Sequence, residues 1–213
     1  MSSFPFVWLF AVTFLATLAA MPLARALGAR LGLMDHPHQR KLQTTAVPRT
    51  GGIGILLGLT AGTFVLLHLS AQLGIPVSRE LIALFAGGVI LHVTGVLDDL
   101  YDIPAKVKLA AQAAAVGVVI SQGVVLERLI FPGGASWEFG MFAAPITAFF
   151  LLGFINAINL VDGLDGLASG IVGIGALALG TAGVMGGNYL LAGLSTIVFA
   201  AVLGFLPFNF RKE

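Results

Sequence analysis

The sequence predicts an all-α fold, a polytopic bundle of about seven transmembrane helices, on three observations. Hydrophobic residues make up 58% of the 213-residue chain, charged residues only 10%, and the mean hydropathy is +1.00. Soluble domains carry about 25% charged residues, so this chain has more apolar surface than a domain in water could bury. Glycine, with 28 residues, is abundant, as is typical of closely packed membrane helices.

Seven apolar stretches approach the length of about 20 residues that a transmembrane helix needs. We interpret residues 1–213 as one integral-membrane domain, because no internal repeat or soluble domain is evident. The net charge of +1 argues against nucleic acid as a partner, and the absence of cysteine excludes disulfides and thiolate metal sites. The predicted spans are 4–27, 51–69, 80–97, 107–126, 139–160, 168–186 and 189–208.

The basic residues predict how the chain is oriented. With the N-terminus outside, nine Lys and Arg residues fall on the internal side and only two, Arg79 and Arg128, on the external side. This bias follows the positive-inside rule and predicts a multi-pass protein of the cell inner (plasma) membrane. The internal residues are Arg25, Arg30, Arg40, Lys41, Arg49, Lys106, Lys108, Arg211 and Lys212.

All six Asp residues also fall on the internal side, although Asp and Glu contribute little to orientation. They lie in three separate segments, so we expect one site at the cytoplasmic face to which each segment contributes. The external acidic residues are all Glu. The Asp residues are Asp35, Asp98, Asp99, Asp102, Asp162 and Asp165.

The first internal segment runs from Asp35 to Lys41 and continues from Val47 to Gly52. Arg40 and Lys41 can bind phosphate, the Arg as a planar fork and the Lys as a point charge. An ordinary positive-inside loop would account for them equally well. His36 and His38 could ligate a metal, but loop histidines without a third partner are more often simply solvated.

The second segment places Asp98, Asp99 and Asp102 at the end of the third predicted span, where Pro104 should stop the helix. Three carboxylates at a helix C-terminus repel one another and oppose the helix dipole. A cation would offset that cost, and clustered carboxylate oxygens suit Mg²⁺. Alternatively, Lys106 and Lys108 could neutralise the cluster without any metal.

The third segment combines Asn156, Asn159, Asp162 and Asp165 at a strict three-residue spacing. The two Asn residues should share one face at the end of the fifth span, and two Asp-Gly steps should form a turn into the sixth. Asp165 could merely cap the next helix. However, polar residues in membrane spans usually face the bundle interior and mark function.

These segments together resemble the polyprenyl-phosphate N-acetylhexosamine-1-phosphate transferases, integral-membrane enzymes that start bacterial cell-envelope glycan assembly. The resemblance rests on Asp35–Lys41 with Val47–Gly52, on Leu97-Asp98-Asp99 and on Asn156–Leu167, in that order and on one membrane side. The Pro48–Gly52 stretch is closer to the branch that uses UDP-N-acetylglucosamine-type donors.

The resemblance implies that a polyprenyl phosphate attacks a UDP-N-acetylhexosamine, giving a polyprenyl-diphosphate sugar and UMP. It implies Mg²⁺, or Mn²⁺ in its place, held by Asn159 and Asp99. Asp98 and Asp99 would be catalytic, acting on the lipid phosphate or the metal, and which of them acts as a base stays open. The substrate-binding residues would be Arg40, Lys41, Asn156, Asp162 and Asp165. A homodimer is compatible with the sequence.

Two features depart from the family pattern. Gln43 stands where the family commonly has His, and the chain stops near Phe208, before the family's Gly-Asp loop and His-rich loop. We therefore expect a fragment or a natural truncation that is inactive by itself. The alternatives are a non-catalytic membrane subunit and a cation or proton transporter. A transporter needs ionisable groups at membrane depth, whereas each Asp here is predicted at one interface.

Overall fold

The computed structural model describes residues 4–31, 34–35, 47–48, 50–73, 78–162 and 165–210. These ranges contain four short strands, β1 (Met34–Asp35), β2 (Val47–Pro48), β3 (Arg128–Ile130) and β4 (Ser136–Glu138), and a 3-10 turn at Gly140–Phe142. The predicted all-α bundle is confirmed. The α-helices are α1 (Phe4–Leu31), α2 (Gly51–Leu73), α3 (Arg79–Tyr101), α4 (Ala105–Ser121), α5 (Ala143–Val161), α6 (Leu167–Met185) and α7 (Tyr189–Asn209).

Six of these helices are long and apolar enough to cross a membrane, so the chain is a multi-pass membrane protein. The exception is α4, which has 17 residues. At about 1.5 Å per residue, it is roughly 26 Å long and lies at the lower limit for a hydrocarbon core of about 30 Å.

The sequence predicts a fourth span that continues to residue 126, but α4 ends at Ser121. Gly123 has a φ of +89°, a left-handed conformation that stops the helix. An antiparallel hairpin follows, in which β3 pairs with β4 and Leu129 lies opposite Trp137. Gly133 and Gly134, both with positive φ, form its turn. The hairpin escaped the prediction because its strands have only three residues each.

The chain divides into two compact units. Unit 1 comprises residues 1–76 and 162–213 and contains α1, α2, α6 and α7. Unit 2 comprises residues 77–161 and contains α3, α4, the β3–β4 hairpin and α5.

In unit 1, α1 and α2 pack through three glycines spaced four residues apart on one face of α2. A side-chain carbon at Gly58 would overlap the hydroxyl of Thr17, which is itself fully buried and hydrogen-bonded to the Thr13 carbonyl. Such small residues let membrane helices approach closely. The facing pairs are Gly54 with Met21, Gly58 with Thr17 and Gly62 with Thr13.

The helix α7 completes unit 1 by packing against α1, α2 and α6. A side-chain carbon at Gly183 of α6 would lie 2.7 Å from the backbone nitrogen of Ala192, so these helices also meet through a glycine. At the opposite end of α7, Arg25 of α1 donates a hydrogen bond of 2.5 Å to the Phe208 carbonyl. The same guanidinium lies 5.1 Å from the centre of the Phe208 ring. Arg25 therefore satisfies a carbonyl that the end of α7 leaves unpaired.

Candidate active site

The C-terminus of α3 carries the predicted carboxylates, and the helix ends where Pro104 led us to expect. Asp102 caps α3 with a φ of 47°, and its backbone N–H donates to the Asp98 carbonyl at 2.8 Å. Asp is among the few residues that tolerate this left-handed conformation. Because Asp102 has left helical geometry, it does not continue the face of Asp98 and Asp99.

Asp98 of α3 forms an ion pair with Lys108 of α4. The distance from Lys108 Nζ to Asp98 Oδ1 is 2.7 Å, and each side chain is 31% exposed. The paired oxygen Oδ1 of Asp98 is itself inaccessible to solvent, so solvent reaches this side chain only at its other atoms. The interpretation that Lys108 neutralises part of the Asp cluster is therefore correct for Asp98.

Asn156 of α5 is held by the neighbouring helix α4. Its side-chain nitrogen donates to Gln112 Oε1 at 2.9 Å and to the Leu152 carbonyl at 2.8 Å. Gln112 is only 8% exposed. The sequence interpretation missed Gln112, although a signal was present: it is the only polar side chain between Lys108 and Ser121 of α4, and it follows Lys108 by one turn.

Consecutive helices of unit 2 run antiparallel, so the C-terminal ends of α3 and α5 lie at the same end of the unit. Asp98 pairs with Lys108 between α3 and α4. Between α4 and α5, Gln112 forms a hydrogen bond with Asn156. Just after α4, the Leu126 N–H donates to Thr147 Oγ1 of α5 at 2.8 Å. Asn159 follows Asn156 by three residues, which places it near the level of Lys108. Asp99 directly follows Asp98 in the last turn of α3.

Asp162 and Asp165 belong to unit 1 and lie on either side of residues 163–164, which are outside the described ranges. The N-cap of α6 is Gly166, with a φ of 76° and no side-chain cap, so Asp165 is not the capping residue. The surface of Asp162 is accessible, but surrounding protein atoms reduce the solvation of its carboxylate. This burial raises the pKa of Asp162 above the usual Asp value.

Arg40 and Lys41 lie outside the described residues. The two ends of their segment are paired, since β1 and β2 form an antiparallel ladder with Asp35 opposite Val47. Thr50, just before α2, is 1% exposed, and its hydroxyl makes no hydrogen bond within the described ranges. Gly51 next to it lies against the Phe205 ring of α7.

The donor atoms in these segments are carboxylate and amide oxygens, the hard ligands that Mg²⁺ prefers. Within the part of the chain that is described, no three His, Asp or Glu side chains gather closely enough to hold a metal by themselves.

Comparison with known proteins identifies relatives named as N-acetylglucosamine-1-phosphate transferases. A probable undecaprenyl-phosphate N-acetylglucosaminyl 1-phosphate transferase of Bacillus subtilis is 35% identical, over 95% of this chain and 55% of that protein. A decaprenyl-phosphate N-acetylglucosaminephosphotransferase of Mycobacterium tuberculosis is 34% identical, over 88% of this chain and 50% of that protein. The chain thus spans about half the length of the curated relatives it matches.

A protein of Sulfolobus acidocaldarius, named as a putative UDP-N-acetylglucosamine–dolichyl-phosphate N-acetylglucosaminephosphotransferase, is 33% identical over 80% of this chain and 53% of its own length. The family model described as glycosyl transferase family 4 matches residues 81–213, which is more than half of the chain. That match includes α3 from Leu81 onward, together with α4, α5 and their polar pairs. The chain is therefore a member of glycosyl transferase family 4.

Proposed function

We propose that this chain forms the N-terminal portion of a polyprenyl-phosphate N-acetylglucosamine-1-phosphate transferase. An oxygen of the lipid phosphate attacks the β-phosphorus of UDP-N-acetylglucosamine and forms a new P–O bond. The bond between the β-phosphorus and the bridging oxygen breaks, and UMP leaves with that oxygen. The product is a polyprenyl-diphosphate N-acetylglucosamine, the first lipid intermediate of a cell-envelope glycan. The names of the relatives support this assignment.

The observation that carries the proposal is the polar arrangement in unit 2. Asp98 and Asn156 come from different helices, yet α4 holds both through residues one turn apart, Lys108 and Gln112. Polar residues inside a membrane protein are costly and usually mark a functional site. The same end of the unit also carries Asp99 and Asn159.

The residues divide by the charge each can offer. Asp98 and Asp99 face the lipid phosphate or its counter-ion, and one of them can accept a proton from a protonated lipid phosphate. Arg40 and Lys41 bind the negative phosphates of the UDP-sugar. Other groups of the UDP-sugar are bound through hydrogen bonds by Asn156, Asp162 and Asp165. Asp99 and Asn159 are the residues that would hold Mg²⁺ or Mn²⁺. When bound, that ion would offset the charge that develops on the diphosphate.

The location of the site is part of the proposal. The nine-to-two bias of basic residues supports a location of the Asp-bearing segments on the cytoplasmic side of the inner membrane. A water-soluble UDP-sugar would reach the site from the cytosol, and the lipid phosphate from the bilayer. Cysteines placed at Ser78 and Gln43 should then label from opposite sides of intact cells. We also expect a homodimer, which light scattering in detergent would reveal.

The activity is tested on two proteins: the 213-residue chain, and a chimera that continues it with the C-terminal half of the Bacillus relative. Each is purified in detergent with undecaprenyl phosphate, UDP-N-acetylglucosamine and Mg²⁺, and UMP release is followed. We expect Mg²⁺-dependent release from the chimera that changing both Asp98 and Asp99 to Asn abolishes. A chimera that unfolds cooperatively on heating but releases no UMP, like the chain itself, would refute the proposed function.

A further inference from the structure

The side-chain amide of Asn156 is held in one orientation by its hydrogen bonds. A carboxamide has two N–H donors on nitrogen and an acceptor oxygen, and its two ends have nearly the same shape. Packing alone therefore cannot determine which end points outward. In this structure the nitrogen donates to two acceptors, Gln112 Oε1 and the Leu152 carbonyl. Both donors are satisfied, so the oxygen Oδ1 is the atom left for another group.

Gln112 is the part of this arrangement that comes from another helix. The Leu152 carbonyl lies on α5 itself, one turn before Asn156, and any Asn at this position could reach it. Gln112 lies 44 residues away in sequence and is 8% exposed. Burying a polar side chain in a membrane protein is unfavourable unless it is hydrogen-bonded. Its bond to Asn156 accounts for a glutamine in this apolar helix.

The position of Gln112 on α4 connects it with the Asp98 ion pair. Lys108 and Gln112 are four residues apart and therefore lie on the same side of α4. Lys108 contacts α3 through Asp98, and Gln112 contacts α5 through Asn156. A displacement of α4 would therefore disturb both groups together.

We propose that Gln112 is a positioning residue, which fixes the Asn156 amide so that its oxygen faces the substrate as an acceptor. The ligand group is then a hydrogen-bond donor or a cation, and not a bare phosphate oxygen. The role toward substrate rests on the proposed function, whereas the orientation of the amide does not. The two parts are therefore tested separately.

The orientation is tested on the 213-residue chain in detergent, labelled with ¹⁵N-asparagine. The chain has four Asn residues, at 156, 159, 188 and 209, and the Asn156 signal is the one missing from an Asn156→Asp variant. With both donors bonded, the Asn156 side-chain protons should exchange with water at least about tenfold more slowly than in Gln112→Met, which removes the acceptor at similar size. Gln112→Glu, which keeps an acceptor, should retain slow exchange.

The matched control is Gln122→Met, the same change at an exposed position just after α4, and it should leave the Asn156 signal unaltered. If Gln112→Met does not fold, the exchange rate of the Asn156 side-chain protons in the unaltered chain still tests the proposal. Rapid exchange of its Asn156 side-chain protons, as fast as those of the exposed Asn188, would overturn the proposal.

The role toward substrate is tested by UMP release from the chimera. Changes to residues that orient a ligating group typically cost about 10- to 100-fold. We expect Gln112→Met to lower kcat/KM by that factor, with partial recovery in Gln112→Glu. In an Asn156→Ala background the Gln112→Met change should have no further effect, because Gln112 acts through Asn156. Equal losses in both backgrounds would show that Gln112 only packs the helices. An inactive chimera with slow Asn156 exchange would refute the proposed function and leave the orientation intact.

Discussion

The two compact units use the same kinds of helix contact in different proportions: close glycine contacts are more numerous in unit 1, and polar side-chain pairs gather at one end of unit 2. In unit 1, glycines such as Gly58 and Gly183 bring backbones together, and the polar Thr17 beside them is satisfied by its own helix. In unit 2, side chains bond from helix to helix, as in the Asp98–Lys108 and Asn156–Gln112 pairs. Volume therefore governs the glycine contacts of unit 1, whereas charge and hydrogen bonds govern the polar end of unit 2. Changes at the glycine contacts should therefore alter the free energy of unfolding, whereas changes at the polar end of unit 2 should alter the rate of UMP release.

The largest effect is expected from Asp99→Asn in unit 2. Asparagine keeps the shape and hydrogen-bonding capacity of the side chain but removes its charge. Losing one well-placed electrostatic contact typically costs about 100- to 1,000-fold in rate. UMP release by the chimera should fall by that factor at saturating Mg²⁺, while the variant should still unfold cooperatively on heating. Near-normal turnover would mean that Asp99 is only the solvated end of a helix.

A loss of stability, and not of catalytic rate, is expected from Gly58→Ala in unit 1. The new methyl group would overlap the Thr17 hydroxyl, so α1 and α2 would have to separate. Overpacking of this kind typically lowers the free energy of unfolding by about 1–3 kcal/mol. Unfolding in SDS, followed by circular dichroism, measures the change. A variant as stable as the parent would show that α1 and α2 pack less closely than described.

A smaller effect of opposite sign is expected from Gly88→Ala, the matched change in unit 2. A side-chain carbon at Gly88 of α3 would meet nothing within 4 Å. Alanine in a helix interior is favoured over glycine by about 0.5–1 kcal/mol. The same SDS titration should show a slightly more stable protein. Marked destabilisation would indicate that another surface covers this face of α3.

The smallest effect is expected from Asp162→Asn and depends on pH. Burial raises the pKa of Asp162, so its carboxylate is less stable in the folded chain than in the unfolded one. That penalty is present above the raised pKa and disappears as the pH falls below the unfolded value of about 3.9. The Asn variant should therefore be the more stable protein at neutral pH and equal to the parent in acid. Thermal unfolding at several pH values provides the comparison, and a constant difference would contradict it.

The helices were predictable from the sequence because apolar runs of span length are a local signal. The end of α3 before Pro104 was predictable for the same reason, since a proline restricts the residue before it. The α4 boundary was not, because Gly123 lies in a stretch that is still apolar on average.

The polar pairs of unit 2 were only partly predictable. Lys108 lies close to Asp98 in sequence across a short turn, so its pairing could be considered in advance. The Gln112–Asn156 bond joins residues 44 positions apart, and no local pattern specifies which helices become neighbours. Likewise, the glycine count indicated close packing, but not that Gly58 meets Thr17.

The contact between Arg25 and Phe208 has a consequence for how the protein is made. The two residues are 183 positions apart, so this bond cannot form until almost all of the described chain has left the ribosome. The α1–α2 glycine contact, in contrast, can form once the residues up to the end of α2 at Leu73 have been made. During the interval the guanidinium of Arg25 must be accommodated by water, lipid headgroups or the insertion machinery. A ribosome stalled before residue 208 should therefore carry an α1–α2 pair whose Arg25 is still accessible to guanidine-modifying reagents.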